Sequence, residues 1–159
     1  MISGHAPNGS TVSTNAQELE YRVFEAVSWL EQDYPSFADW YWNTVVLGVR
    51  SGERRLAAVE RADRIVGVSI SKRTSVERKM CTIWVAPEFI GKGLGVRLMT
   101  DSMQWLQTKL PLATVSENRI GEFKPIMDRL GYSLTQVLPG YYRQGRSEYV
   151  FNGSLKLDA

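Results

Sequence analysis

Residues 91–95, Gly-Lys-Gly-Leu-Gly, are where residue type and spacing point most directly to chemistry. They follow an alternating apolar run that ends at Ala86-Pro87, and they precede a segment in which Leu98, Met99, Met103 and Leu106 recur with a helical period. A strand, a glycine-rich loop and a helix in that order turn backbone N–H groups and the positive end of a helix dipole toward whatever fills the loop. This makes the segment an anion cradle. Two familiar phosphate loops are excluded by spacing. A dinucleotide fingerprint starting at Gly91 or Gly93 needs glycine where Val96 or Leu98 stands, and the only Gly-Lys pair, Gly91-Lys92, is followed by Gly93 rather than by Ser or Thr.

Counting limits the chemistry further. The 159 residues include one cysteine, Cys81, and one histidine, His5. A disulfide framework, a Cys/His zinc site and a His-based triad in the folded part are thereby excluded, and no metal site is expected. With 43% hydrophobic and 23% charged residues, the chain has the composition of one globular domain with a real core. No apolar run approaches the roughly 20 residues of a membrane span, and the first 16 residues lack the regions of a signal peptide, so the expectation is a cytoplasmic protein with no membrane partner. Residues 1–50 hold 2 Lys/Arg against 6 Asp/Glu, and residues 51–159 hold 17 against 11, so the basic part is also the glycine-loop part. That bias suits an anionic cofactor, a nucleic acid or an acidic protein, and equally a solvated basic surface.

The elements that must position the loop can be read around it. Residues 1–16, rich in Gly, Ser, Thr, Asn and Pro, read as a disordered leader, and residues 17–159 as a single domain. "ELEYRVFEAV" suggests a first strand, followed by a helix near residues 25–33 that is broken at Pro35, and by a second helix from about residue 37 with Ser36 as its cap. "RRLAAVER", "RIVGVSISKR" and "KMCTIWVA" read as an antiparallel meander. The glycine-loop helix closes before Pro111. "LATVSE" is a short strand, "IGEFKPIMDRLGY" a helix with Gly131 at C′, and "SLTQVLPG" and "SEYVFNG" two final strands.

The stretch "TIWVAPEFIGKGLGVRLM" resembles the acetyl-coenzyme A loop of the GNAT superfamily of N-acetyltransferases, whose signature is Q/R-x-x-G-x-G/A after a strand ending in V-x-P. The order of elements over residues 17–153 resembles that fold too. The resemblance implies an α/β (α+β) domain: a mixed, mostly antiparallel central sheet of about seven strands flanked by about four helices. It implies acetyl-CoA as cofactor, with the backbone of Ile83, Trp84 and Val85 beside the pantetheine arm, and the N–H groups of Gly91, Lys92, Gly93, Leu94, Gly95 and Val96 on the pyrophosphate. The signature's Gln/Arg falls on Ile90, so one polar side chain is missing while the backbone donors remain. Asn118 resembles the family's asparagine after the fifth strand, but it lies 13 residues before Gly131 where the common spacing is 11. The tyrosine that commonly protonates the leaving thiolate falls on Met127.

The implied reaction names the groups to seek. An amine of pKa near 10.4 is protonated at pH 7, and freeing its lone pair costs roughly 4.6 kcal/mol, so a base is needed near the thioester. Glu117, at the expected carboxyl end of a strand flanking the cofactor cleft, is the first candidate, with a helix-capping role as the alternative. Tyr141, Tyr142 and Ser116 are available as acids; alternatively the thiolate leaves unprotonated. In this fold the first two helices and the last loop wall the acceptor side, and here they carry Trp40, Tyr41, Trp42, Tyr141, Tyr142, Arg143 and Arg146. Both faces of the second helix are apolar, so one face is core and the other a pocket wall or a homodimer contact. The expected activity is N-acetylation of a small-molecule or protein amine by direct attack in a ternary complex. Acylation of RNA or aminoacyl-tRNA, as in some toxins of this superfamily, and a non-catalytic CoA-binding module are the alternatives.

Overall fold

The computed structural model describes residues 9–156, with side chains from Asn15 onward. Six strands form one sheet: β1 (Arg54–Arg61), β2 (Arg64–Arg73), β3 (Arg78–Val85), β4 (Leu112–Ser116), β5 (Leu134–Pro139) and β6 (Ser147–Phe151). Their order across the sheet is β1-β2-β3-β4-β6-β5, and every neighbouring pair is antiparallel except β3 and β4. Helices α1 (Gly9–Val27), α2 (Phe37–Trp40), α3 (Val46–Ser51), α4 (Leu94–Leu106) and α5 (Ile120–Arg129) flank it, with a π-helical turn, Tyr41–Val45, joining α2 to α3. No helix among the described residues is long and apolar enough to cross a membrane.

The sheet has six strands rather than about seven because the first expected strand is helical. Leu19, Tyr21 and Val23 alternate as a strand would, but Tyr21 is 64% exposed, whereas Glu20, Val23 and Val27, spaced three and four apart, are buried. The 3.6-residue stripe wins because it lays α1 against the core shared by α2, α4 and the sheet. The helix expected near residues 25–33 is the end of α1 followed by a 3₁₀ turn, Ser28–Gln32. Of the stretch read as a leader, residues 9–16 belong to α1 and residues 1–8 lie outside the described residues. Ser36 precedes α2 as expected but does not cap it with its side chain. Instead the Glu31 carboxylate accepts the N–H groups of Ser36 (3.1 Å) and Ala38 (3.0 Å).

One feature of the sheet positions everything functional. β3 and β4 pair only at Lys79–Leu112 and Met80–Ala113, and then diverge. At that point the register of β3 on β2 slips, Ile70 facing Thr82 while Ser71 faces Met80, so Cys81 is an extra residue in the ladder. A bulge bends its strand and increases local twist, which carries Thr82–Val85 away from β4 and opens a V between two parallel strands. The α5 end is fixed as the sequence suggests: Gly131 is left-handed (φ 76°), and the N–H groups of Gly131 and Tyr132 return to the carbonyls of Asp128 (3.2 Å) and Met127 (2.9 Å) in a Schellman closure.

Candidate active site

The glycine loop lies at the wide end of the V. Gly91 (φ 81°) and Gly93 (φ 85°) are left-handed, and no atom comes within 4 Å of a Cβ placed on either. Both glycines are thus required by backbone conformation rather than by crowding. Gly95 has the opposite reason: a Cβ there would meet Ile126 of α5 at 3.1 Å. Gly93 caps α4 without a side-chain hydrogen bond, and the helix's first return bond is from the Arg97 N–H to the Gly93 carbonyl. Among the described residues, the N–H groups from Gly91 to Val96 meet no loop carbonyl and no side-chain acceptor. Such a row of open donors on a helix N-terminus fits a diphosphate.

Ile83, Trp84 and Val85 lie on the part of β3 that β4 no longer covers, so its backbone edge faces the V. One acceptor on that edge is taken: the Arg119 guanidinium, reaching across from the start of α5, donates to the Ile83 carbonyl at 2.7 Å. Trp29 and Phe123 hold this guanidinium, with ring centroids at 5.5 and 5.1 Å. Met127, at the family's tyrosine position, is buried and lines the narrow cavity between the strands.

The remaining expected residues divide into two groups. Tyr142 lines the larger cavity described below. Ser116, Glu117 and Asn118 are structural ties here. The Ser116 hydroxyl donates to the Asn118 side-chain carbonyl (2.6 Å), and the Asn118 amide donates to both oxygens of Asp33 (3.1 and 3.2 Å), whose carboxylate also pairs with Arg146. Glu117 is exposed, donates its backbone N–H to the Ser147 carbonyl at 3.0 Å and accepts the Ser147 N–H on its carboxylate at 3.0 Å. None of the three lines either cavity.

Two residues absent from the sequence-based reading stand out beside the cavities described below. Tyr34, at the tip between the 3₁₀ turn and α2, donates its hydroxyl to Glu148 Oε1 at 3.0 Å. Glu148 stands on β6, between β4 and the edge strand β5, opposite Ser116 and Leu138, and is 3% exposed. Burial pushes its carboxyl up to about 7, against the opposing pull of the Tyr34 and Thr114 hydroxyls and of Lys79. Burial and the neighbouring Glu148 charge likewise raise Tyr34 and Tyr142 above the usual phenol range. Burial also raises the Cys81 thiol, which keeps it neutral and a poor nucleophile. The sequence signals were faint. Glu148 shares a strand face with Val150, and Tyr34 precedes Pro35 at a helix break.

Two cavities meet beside Tyr34. The narrow one, ≈ 30 Å³, runs between β3 and β4. The larger one, ≈ 270 Å³, lies under α2 and is walled by Phe37, Trp40 and Tyr142. Tyr34, Cys81, Thr82 and Thr114 line both.

The profile of the acetyltransferase (GNAT) family matches residues 14–120, more than half of the chain. The chain belongs to that family. No curated protein sequence matches it significantly. Among solved structures it is similar to a protein described as a GNAT-family acetyltransferase from Desulfovibrio desulfuricans, with 20% identity, a TM-score of 0.59, and coverage of 74% of this chain and 80% of that one. Aminoglycoside 6'-N-acetyltransferase complexed with coenzyme A shares 13% identity at a TM-score of 0.59, over 95% and 94% of the two chains. A protein described as a streptothricin acetyltransferase from Bacillus anthracis, in complex with acetyl coenzyme A, shares 14% identity at a TM-score of 0.53, over 62% and 61%. These likenesses establish the fold. The expected mixed, mostly antiparallel architecture stands, with one strand fewer.

Proposed function

We propose that the chain is an acetyl-CoA-dependent N-acetyltransferase in which an amine reaches the thioester directly from the larger cavity, and that Glu148, acting through Tyr34, accepts the amine's proton. When bound, acetyl-CoA supplies the acetyl group as a thioester, activated toward an uncharged amine. The open N–H groups of Gly91–Val96 would hold its diphosphate, and the edge of β3 over Ile83–Val85, where Arg119 already takes the Ile83 carbonyl, its pantetheine arm. The observation that carries the reading is the shared wall: Tyr34 faces the cofactor cleft and the larger cavity at once and is bonded to a buried carboxylate with a pKa of about 7.

A base poised near the working pH is what general catalysis favours. The Tyr34 hydroxyl can take a proton from the amine while passing its own to Glu148. Because Tyr34 lines both cavities, its hydroxyl could return that proton to the leaving thiolate while taking one back from Glu148, which would supply an acid despite Met127. Tyr142, edge-on to Tyr34 at 5.1 Å between ring centroids, helps enclose the site. We assign Glu117 the lesser role of tying β4 to β6. With its thiol held neutral by burial, Cys81 is a poor acyl acceptor, which favours direct transfer over a covalent cysteine intermediate.

The test is thiol release from acetyl-CoA over a panel of primary amines, comparing wild type, Glu148→Gln and Tyr34→Phe. Both variants are expected to bind CoA normally and to lose on the order of 10²-fold in kcat. Wild-type protein that binds CoA and releases no thiol with any amine would leave only a CoA-binding module.

A further inference from the structure

The larger cavity has a cationic wall that the fold itself does not call for. Arg54, Lys72 and Lys79 are register partners on β1, β2 and β3, Arg54 opposite Lys72 and Lys72 opposite Lys79, and all three line the cavity. Like charges directly opposite one another weaken a sheet. One carboxylate relieves the row: Glu77 accepts from Lys72 Nζ at 2.7 Å. Among the described residues Arg54 and Lys79 form no salt bridge. Arg54 is nonetheless held in place. Its guanidinium lies 5.7 Å from the Trp40 ring centroid and gives one N–H to the Cys81 sulfur at 3.5 Å, a weak acceptor that leaves most of its donors unspent.

We infer that the acceptor is an amino carboxylate with an aromatic or apolar body, of the size of a free amino acid, whose carboxylate is held by Arg54 and Lys79. The inference rests on the acetyltransferase reading and specifies its substrate class. The cavity offers three kinds of lining. Tyr34 and Thr114, shared with the cofactor cleft, receive the amine; Phe37 and Trp40 face its apolar body; the cationic row takes the anion. A planar guanidinium steadied on an aromatic ring suits two-point recognition of a carboxylate. A volume of ≈ 270 Å³ is of the size of one amino acid. Polycationic amines are disfavoured, because the row would repel them.

Matched amines with and without the carboxylate test this: L-phenylalanine against phenethylamine, L-tryptophan against tryptamine, L-leucine against isopentylamine. Acetyl transfer by the wild type should favour the carboxylate member of at least one pair by 10-fold or more in kcat/KM. Arg54→Gln should erase that preference by raising KM for the carboxylate member about 10- to 100-fold, the size expected for a charge-assisted hydrogen bond, while its partner is little changed. Lys79→Met is the second variant, for the case that Arg54→Gln, which also loses its contact with Trp40, does not fold. Binding of the product N-acetyl-L-phenylalanine, measured calorimetrically without acetyl-CoA, separates the two readings. Arg54-dependent binding with no turnover of any amine would sustain the anion site and overturn the acetyltransferase assignment. Turnover of amines with no preference for the carboxylate members, or a preference unaffected by either variant, would overturn the inference and leave the acetyltransferase assignment standing.

Discussion

The Tyr34 hydroxyl and the Glu148 carboxylate meet at 3.0 Å across 114 residues of chain, and Tyr34 lines both the narrow cavity between β3 and β4 and the larger cavity under α2. If this pair carries the proton, the two residues act as one unit. The rate of the double variant Tyr34→Phe/Glu148→Gln should then match that of the worse single variant rather than the product of both losses. In the wild type kcat/KM should climb with pH and level off above about 7, where Glu148 is ionised. A profile without that inflection, or additive single-variant losses, would separate the pair from the chemistry.

The same carboxyl sets a pH dependence of stability. Its folded pKa, about 7, lies above its ordinary value of 4.5, so between those limits the folded protein holds a proton that the unfolded chain has released. Stability is therefore full below about 4.5 and falls as pH rises toward 7, by up to about 3 kcal/mol. Glu148→Gln keeps an acceptor for Tyr34 without the charge. Denaturant titrations at pH 5 and pH 8 should show the variant gaining on the wild type at the higher pH while being far less active there. That is the signature of a carboxylate kept for function at the expense of stability.

Glu117 and Glu148 make opposite predictions. Glu117→Gln retains an oxygen for the Ser147 N–H, and Glu117→Ala removes it. Neither should change kcat more than about 2-fold, and the alanine variant should lose up to about 1 kcal/mol of stability, as expected for one exposed tie. A 10²-fold fall in kcat for Glu117→Gln at pH 7 would return the proton-accepting role to Glu117.

Most of the frame was legible because its signals are local. Alternation placed β1, β2 and β3, the apolar period after the glycines placed α4, and Gly131 marked the end of α5. α1 was not, because over ten residues Leu19, Tyr21 and Val23 satisfy a two-residue period while Glu20, Val23 and Val27 satisfy a helical one, and only packing against the sheet decides. The candidate base was illegible for a related reason. A glutamate in "SEYVF" has its carboxyl pushed up to about 7 only when the packed sheet, with β4 and β5 on either side, buries it against the opposing pull of the Tyr34 hydroxyl, and no window of sequence contains those neighbours. Ser116, Glu117 and Asn118 suited capping as well as catalysis, and their contacts are ties between β4, β6 and the segment around Asp33.

The glycine loop yields the last prediction. CoA at about 100 times its Kd should stabilise the protein by roughly 2.7 kcal/mol, read as a rise in Tm. Gly93→Glu would place a carboxylate beside the open N–H groups at the start of α4, where it competes with and repels a diphosphate. Because Gly93 is left-handed, any side chain there costs roughly 1–2 kcal/mol of backbone strain, so Gly93→Ala is the control for strain without charge. The expected pattern is a lower starting Tm for both variants, a CoA-dependent rise largely kept by Gly93→Ala, and none in Gly93→Glu. Equal shifts in the two variants would mean that the diphosphate is bound somewhere other than the helix N-terminus.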